Sequence, residues 1–378
     1  MCQDKTKVCV LAPGHDEYDN RVLRSIVVFR KNFSHVDAFY EAERAIGEVR
    51  CYERISIGEL ITHSVRKKKI KRISFVDAYS YLLLHDSGLY GLIFLKYLER
   101  SHPELKVIFD YHDFIIWEFL YHLKKIKLSN FISDRLKVRA FKIFAKLFLN
   151  QNNVVGLVGI SKAQVLSLMG VGFFKVRNNN CAVVPNTREK LNFPGRELEN
   201  KVSLTWVGNV GLGRQFEKMY DVLDFVSSSE DFKANVSVIG KVYGGLELGA
   251  NIEYLGSFEN DADVFAKLGK RKAIGLFFGW DDPHFTGINE IASPNKVYTY
   301  INVEIPFLIP ASLDDLIMQA KLPPCFLYND EGDLKRKVKN IMSNYAYYVD
   351  KVREIKNQDI WDDYGNRQLN VLIENLAK

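Results

Sequence analysis

Cysteine is scarce in this chain and badly placed for structural work. The five cysteines (Cys2, Cys9, Cys51, Cys181 and Cys325) include no C-x-x-C pair, so a zinc site or a disulfide framework is a poor reading and a reducing compartment fits better. No stretch approaches ~18 uncharged apolar residues, which excludes a transmembrane helix. The one early apolar run, residues 8–13, is too short for a signal-peptide core. Neither sign of charge dominates: 52 Lys and Arg against 46 Asp and Glu leave a formal +6, weak support for an anionic partner. No repeat or low-complexity segment stands out. With 47% hydrophobic and 26% charged residues, disorder, collagen and coiled coil are poor readings. What is present is a globular chain of 378 residues, long enough for two or three domains at ~150 residues each. It can bury its core without disulfides or a structural metal. The expected setting is soluble and cytoplasmic.

Short β-branched runs alternate with helical stretches. Val8–Leu11 leads through Gly14 to a helix near Asn20–Lys31. Lys106–Asp110, Val154–Gly159 and Ala182–Val184 follow, and a second series comprises Ser203–Val207, Asn235–Ile239, Ala273–Phe278 and Pro306–Ile309. Apolar strands alternating with helices predict parallel sheets covered on both faces. The polar stretch Thr187–Lys201, with Pro194 and Gly195, separates the series. The expectation is therefore an α/β chain of two doubly wound Rossmann-like domains facing an interdomain cleft, with residues 1–190 and 191–358 as its halves. The amphipathic terminal stretch 359–378 is expected to pack back on the first. Ligands of such sheets bind beyond the carboxyl ends of the strands.

Two loops stand out there. Val207-Gly208-Asn209-Val210-Gly211-Leu212-Gly213-Arg214 joins a strand to a helix; its glycines let backbone amides approach an anion, and Arg214 supplies a planar fork suited to phosphate. It is neither a P-loop nor the dinucleotide fingerprint, and a plain tight turn with a surface arginine explains it equally well. Ser293-Pro294-Asn295-Lys296 opens a second helix, with Ser293 as cap and Pro294 in the first turn, so that free amides and the Lys296 ammonium could meet a diphosphate. The plain alternative is a capped helix before a strand.

These residues carry a resemblance. Ser293-Pro294-Asn295-Lys296-Val297-Tyr298-Thr299-Tyr300, with Pro306 beyond, resembles the P-N-K-hydrophobic-aromatic-E-Y…P segment of glycosyltransferase family 4 and its GT-B relatives. Other landmarks follow in family order: Asp19-Asn20-Arg21-Val22-Leu23-Arg24, Phe109-Asp110-Tyr111-His112-Asp113, Gly159-Ile160-Ser161, Val183-Val184-Pro185-Asn186 and Trp206-Val207-Gly208-Asn209. The resemblance implies a transferase moving a sugar from a nucleotide-diphosphate donor to a glycan or lipid-linked acceptor, mostly with retention, without metal or cofactor. In bacteria such enzymes build surface polysaccharide: lipopolysaccharide, O-antigen or capsule. It implies that Arg214 and Lys296 stabilise the leaving diphosphate and that His112 touches donor sugar or acceptor. Donor contacts are expected from Gly208, Asn209, Gly211, Gly213, Glu290, Ser293, Asn295 and Thr299, and acceptor contacts from His15, Asp19 and Arg21.

One departure is specific. Relatives carry a glutamate at the position of Thr299, where it binds the donor ribose, and the partner glutamate eight residues earlier falls on Ile291, beside Glu290. A threonine cannot chelate two hydroxyls, so a nucleotide-sugar epimerase or a catalytically silent scaffold of the same fold stays open. Trp280, Asp281, Asp282 and His284 follow a strand and could contact a sugar or form an ordinary loop.

The first half also carries basic runs, 65–72 and 124–146, the latter with Arg135, Arg139, Lys142 and Lys146 at helical spacing. They suggest peripheral attachment to an anionic membrane surface at the inner leaflet; a solvated helix face is the plain alternative. No nucleic-acid motif accompanies them.

Overall fold

The computed structural model describes residues 6–15, 19–43, 45, 47–86, 89–111, 139, 152–170, 174, 176–187, 190–195, 197–199, 202–208, 210, 216–227, 234–242, 252–258, 260–279, 294–358 and 362–377. The chain divides into two compact units, Met1–Pro185 with Asp363–Lys378, and Asn186–Asp362.

The first unit is built on seven parallel strands: β1 (Lys7–Ala12), β2 (His35–Glu41), β3 (Cys51–Tyr52), β4 (Tyr81–Asp86), β5 (Lys106–Tyr111), β6 (Val154–Gly159) and β7 (Cys181–Val183). They are ordered β3-β2-β1-β4-β5-β6-β7. Its helices are α1 (Asn20–Asn32), α2 (Ile57–Arg66), α3 (Leu89–Ser101) and α4 (Lys162–Gly170). Side chains alternate across a strand, so each strand feeds two cores. Cys9 and Leu11 of β1 join Leu60 of α2 and Phe94 of α3 on one face. Val8 and Val10 join Val22, Ile26 and Phe29 of α1 on the other.

The second unit has six parallel strands: β8 (Val202–Val207), β9 (Ala234–Ile239), β10 (Ile252–Tyr254), β11 (Lys272–Leu276), β12 (Phe307–Pro310) and β13 (Leu327–Tyr328), ordered β10-β9-β8-β11-β12-β13. Its helices are α5 (Lys218–Ser227), α6 (Asp261–Leu268), α7 (Asn295–Asn302), α8 (Asp314–Ala320), α9 (Glu331–Ser343) and α10 (Tyr345–Lys356). The last helix, α11 (Asp362–Leu376), places Leu369, Leu372 and Ile373 in the α1-side core of the first unit, and Asn32 donates to Asn370 at 2.7 Å.

Three tyrosines brace β11. The Tyr300 hydroxyl, from α7, accepts the Val207 N–H and lies 3.2 Å from the Thr205 and Leu276 carbonyls. Tyr328 donates to Phe277 O and Tyr345 to Ala273 O. Gly275 makes room for the first of them, since a Cβ there would sit 2.7 Å from the Tyr300 ring.

The sequence patterns mark no strand at β2, β3, β4, β10 or β13. They put Pro294 in the first turn of α7, whereas Pro294 is the N-cap, its carbonyl accepting Val297 N–H, and the first helical residue is Asn295. Proline has no N–H to satisfy, so it is tolerated on either side of that boundary.

Candidate functional site

In each sheet the strand order reverses at one place, between β1 and β4 in the first unit and between β8 and β11 in the second. Doubly wound sheets bind ligands beyond the carboxyl ends of the strands at this reversal, because the flanking loops turn away to opposite faces. The reversal in the first unit carries a cluster of charged side chains, and that in the second a buried lysine.

In the second unit, β8 ends at Trp206-Val207 and runs into Gly208, held at φ +112°, a conformation that L side chains rarely adopt. Gly208 N–H donates to Ile239 O at 2.8 Å, and a Cβ at the neighbouring Gly240 would fall 2.2 Å from the Gly208 carbonyl oxygen. The backbones of the two loops therefore touch, with no room for a side chain at 240. Into this corner α7 delivers Lys296. Its Nζ sits 3.4 Å from the centre of the fully buried Trp206 ring and 5.1 Å from that of Phe277. Its Cε would lie 3.7 Å from a Cβ on Gly208. The side chain is 7% exposed. An aromatic face offsets part of the cost of removing an ammonium from water, and the charge stands fixed at the sheet's ligand-binding edge.

Lys296, in the first turn of α7, and Gly208, in the loop after β8, are thus brought together from positions 88 residues apart. Asn295 is exposed at the start of the same helix. Arg214, Asn209, Gly211, Gly213, Glu290, Ser293 and His112 lie outside the described residues, as do Trp280, Asp281, Asp282 and His284.

Thr299, three residues along α7 from Lys296, is turned into the interior of the unit. It is 1% exposed and its hydroxyl donates to Asp261 Oδ1 at 3.0 Å, while Asn302 donates to Asp261 Oδ2 at 2.7 Å. Asn302 in turn accepts Leu191 N–H. The expected ribose contact from Thr299 is replaced by an interior bond that satisfies a buried carboxylate. A glutamate at 299 would set a second carboxylate against Asp261, a like-charge contact in a desolvated place. The departure from the family pattern thus has a local physical reason.

In the first unit the ends of β1, β2, β4 and β5 assemble His15, Glu41, His85, Asp86 and Asp110. Asp110 and His85 are at most 1% exposed, and Nδ1 of His85 lies 2.9 Å from Asp110 Oδ2. Arg21 Nε donates to both Asp110 oxygens at 2.9 and 3.0 Å, and its Nη1 to Val184 O at 2.8 Å. Arg21, expected to touch acceptor, is instead an internal brace joining α1, β5 and the chain after β7. Bidentate pairing and low exposure leave its fork directed inward.

The solvent-reaching members are His15 and Asp19, with side chains 14% and 32% exposed and Nδ1 of His15 3.0 Å from Asp19 Oδ2. Asp19 also caps α1, its other oxygen accepting Arg21 and Val22 N–H. The His15 ring meets His85 edge-on at 6.4 Å. Burial alone would lower the His15 pKa, but the hydrogen bond and charge of Asp19, with Asp86 and Asp110 behind it, outweigh burial and raise it. Asparagine at 19 keeps the helix cap and removes the charge. We expect Asp19→Asn to move the His15 titration to lower pH, read from its imidazole resonances. A midpoint that stays put would show that Asp86 and Asp110 set it. A raised folded-state pKa also means that this histidine stabilises the fold fully below its ordinary value of 6.5 and loses that contribution as pH rises through the raised value.

A cavity of about 580 Å³ lined by Asn235, Ile252 and Glu253 opens at the opposite, amino ends of β9 and β10, where sheets of this kind do not take ligands. Among the described residues no group of three or more His, Cys, Asp or Glu could hold a metal ion, and no helix is long and apolar enough to cross a membrane.

No family model matches the sequence, and no curated protein matches it. Solved structures do. The apo form of the lipopolysaccharide outer core galactosyltransferase WaaB is similar at TM-score 0.61 and 12% identity, over 98% of this chain and 100% of that one. The apo structure of OtsA is similar at TM-score 0.61 and 9% identity, over 99% of each chain. A glycosyltransferase from Rickettsia africae ESF-5 is similar at TM-score 0.58 and 10% identity, over 98% and 99%. At such identities the likeness is one of architecture, and that architecture is plain: two Rossmann-like α/β units in one chain, the GT-B fold of glycosyltransferases.

Proposed function

We propose that this protein is a glycosyltransferase that moves a sugar from a nucleotide-diphosphate donor, held by the second unit, to a glycan or lipid-linked acceptor presented to the first. The observation that carries the reading is Lys296, a fixed ammonium at the strand-order reversal against Gly208 and Trp206. Cleaving the sugar–phosphate bond leaves negative charge on the departing diphosphate. A cation already in place, and shielded from water, lowers the barrier where that charge develops. No cofactor enters this reading. A role in bacterial surface polysaccharide is supported by likeness to a lipopolysaccharide outer core galactosyltransferase and to TarM (TM-score 0.52, 12% identity, over 84% of this chain and 58% of that one). A nucleotide donor is supported by likeness to MnaA from S. aureus, solved with UDP (TM-score 0.52, 8% identity, over 98% and 97%). Peripheral attachment to an anionic membrane surface belongs to the same reading.

Retention of anomeric configuration follows the motif resemblance. The His15–Asp19 pair favours a second course, since an inverting displacement needs a proton acceptor for the acceptor hydroxyl, and a histidine with a raised pKa beside a carboxylate supplies one. The anomer of the first-formed product, read by NMR, decides between them.

The deciding experiment is calorimetric titration with UDP, GDP and CMP and their sugars. We expect one nucleoside diphosphate to bind, and its sugar conjugate to be consumed only when acceptor is added. Conversion of the donor alone into a different nucleotide sugar would make the protein an epimerase. Binding of none of them would leave a silent scaffold and overturn the reading.

A further inference from the structure

The apolar sector of α2 is wider than the seat it occupies. Leu60 and Ser64 turn into the unit and are buried, but Ile57, Ile61 and Val65 stand at four-residue spacing with 44%, 48% and 68% of their surface exposed. Residues four apart share a helix face, so the three form one aliphatic ridge, ~12 Å long at 1.5 Å per residue. Ser56 caps its start by accepting Glu59 N–H, and Lys67, in the left-handed conformation, ends it.

Cations cluster at that end. Within 66–72 two are engaged in the unit: Lys69 pairs with Asp77 at 2.7 Å, and Arg72 pairs with Glu59 and, at 3.6 Å, with Glu53. Arg66, Lys67, Lys68 and Lys71 are exposed and have no acidic partner among the described residues. A convex aliphatic ridge beside uncompensated cations suits an interface that is soft, apolar below its surface and negatively charged above it. A helix with such faces lies in the plane of a bilayer, its apolar side at the acyl boundary and its cations among head groups.

We infer that α2 and the basic turn after it form the membrane-contacting surface of the first unit, with Ile57, Ile61 and Val65 inserted among anionic phospholipids and Arg66, Lys67, Lys68 and Lys71 on their phosphates. This deepens the membrane part of the proposed function by naming the contact. It is tested without donor or acceptor, so its failure leaves the transfer reading standing, and failure of transfer leaves it standing.

The test is co-sedimentation of the full chain with sucrose-loaded vesicles of phosphatidylcholine alone, or of phosphatidylcholine with phosphatidylglycerol, for wild type, I61S/V65S and K67E/K68E/K71E. All substitutions are at exposed positions, and circular dichroism with thermal unfolding checks that each variant stays folded. The expected result is partitioning onto the anionic vesicles only, lowered at least tenfold in each variant. Equal or negligible binding of wild type to both vesicles would overturn the proposal. So would wild-type binding by I61S/V65S, which would put the contact elsewhere.

Discussion

Lys296→Met is expected to lower the rate of sugar transfer at least a hundredfold and to leave thermal unfolding near the wild-type temperature. Methionine fills the volume of the lysine stem beside Gly208 and over Trp206 while removing the charge. A preorganised charge or donor facing a developing anion is worth about 2.7–4 kcal/mol, or about 10²–10³ in kcat. On the stability side the effect is smaller: methionine keeps the packing of the stem over the indole while the desolvation cost of an ammonium 7% exposed and its contact with the ring are both given up. Loss of rate without loss of stability separates a charge placed for chemistry from one placed for folding. Steady-state kinetics with the donor found by calorimetry should show the fall in kcat with KM little changed, the mark of an interaction made in the transition state. A methionine variant of wild-type rate would remove Lys296 from the mechanism.

The parts of this corner that the sequence displays are those set by local rules. Ser203–Val207 reads as a strand because it is a short apolar, β-branched run ahead of a glycine-rich loop, and the structure buries it in the sheet together with Val202. Gly208 and Pro294 mark the turns after and before regular elements, and Lys296 follows from its place in a short motif. What the sequence hides is pairing across distance. Thr299 finds Asp261 38 residues away, and Arg21 finds Asp110 89 residues away. Nothing in the spacing of either pair announces a contact, so both Thr299 and Arg21 read as ligand-facing residues when they are interior ones. β4 hides for another reason: in Tyr81–Asp86 the polar His85 and Asp86 come before the Ser87-Gly88 turn signal, which leaves an aliphatic run of only Leu82-Leu83-Leu84. Missing that strand meant missing the histidine beneath His15. Ile57, Ile61 and Val65 are hidden by resemblance to the ordinary, since apolar residues four apart usually signal a buried face and only the exposures show that this one is bare.

Asp110 tests how far that hidden pairing holds the first unit together. Asp110→Asn is expected to destabilise the protein by about 3–5 kcal/mol, the usual cost of leaving one member of a buried ion pair uncompensated. The group left behind is the Arg21 guanidinium, 9% exposed and held between Asp110 and the Val184 carbonyl; His85 Nδ1 loses its charged neighbour at the same time. Urea denaturation at neutral pH measures the loss. The acid limb of stability gives a second, independent readout. Burial alone would raise the Asp110 pKa, but the charge of Arg21 and the contact with His85 outweigh it and hold the carboxyl far below its ordinary 3.8. A carboxylate with a depressed folded-state pKa gives its full contribution above the unfolded value and loses it as pH falls toward the folded one. Wild-type stability should therefore decline steeply below about pH 4, and Asp110→Asn, with no proton to take up there, should decline less steeply over the same range. Parallel acid limbs for the two proteins would mean that other carboxylates govern acid unfolding, and that the bond from α1 to β5 contributes little to holding the unit closed.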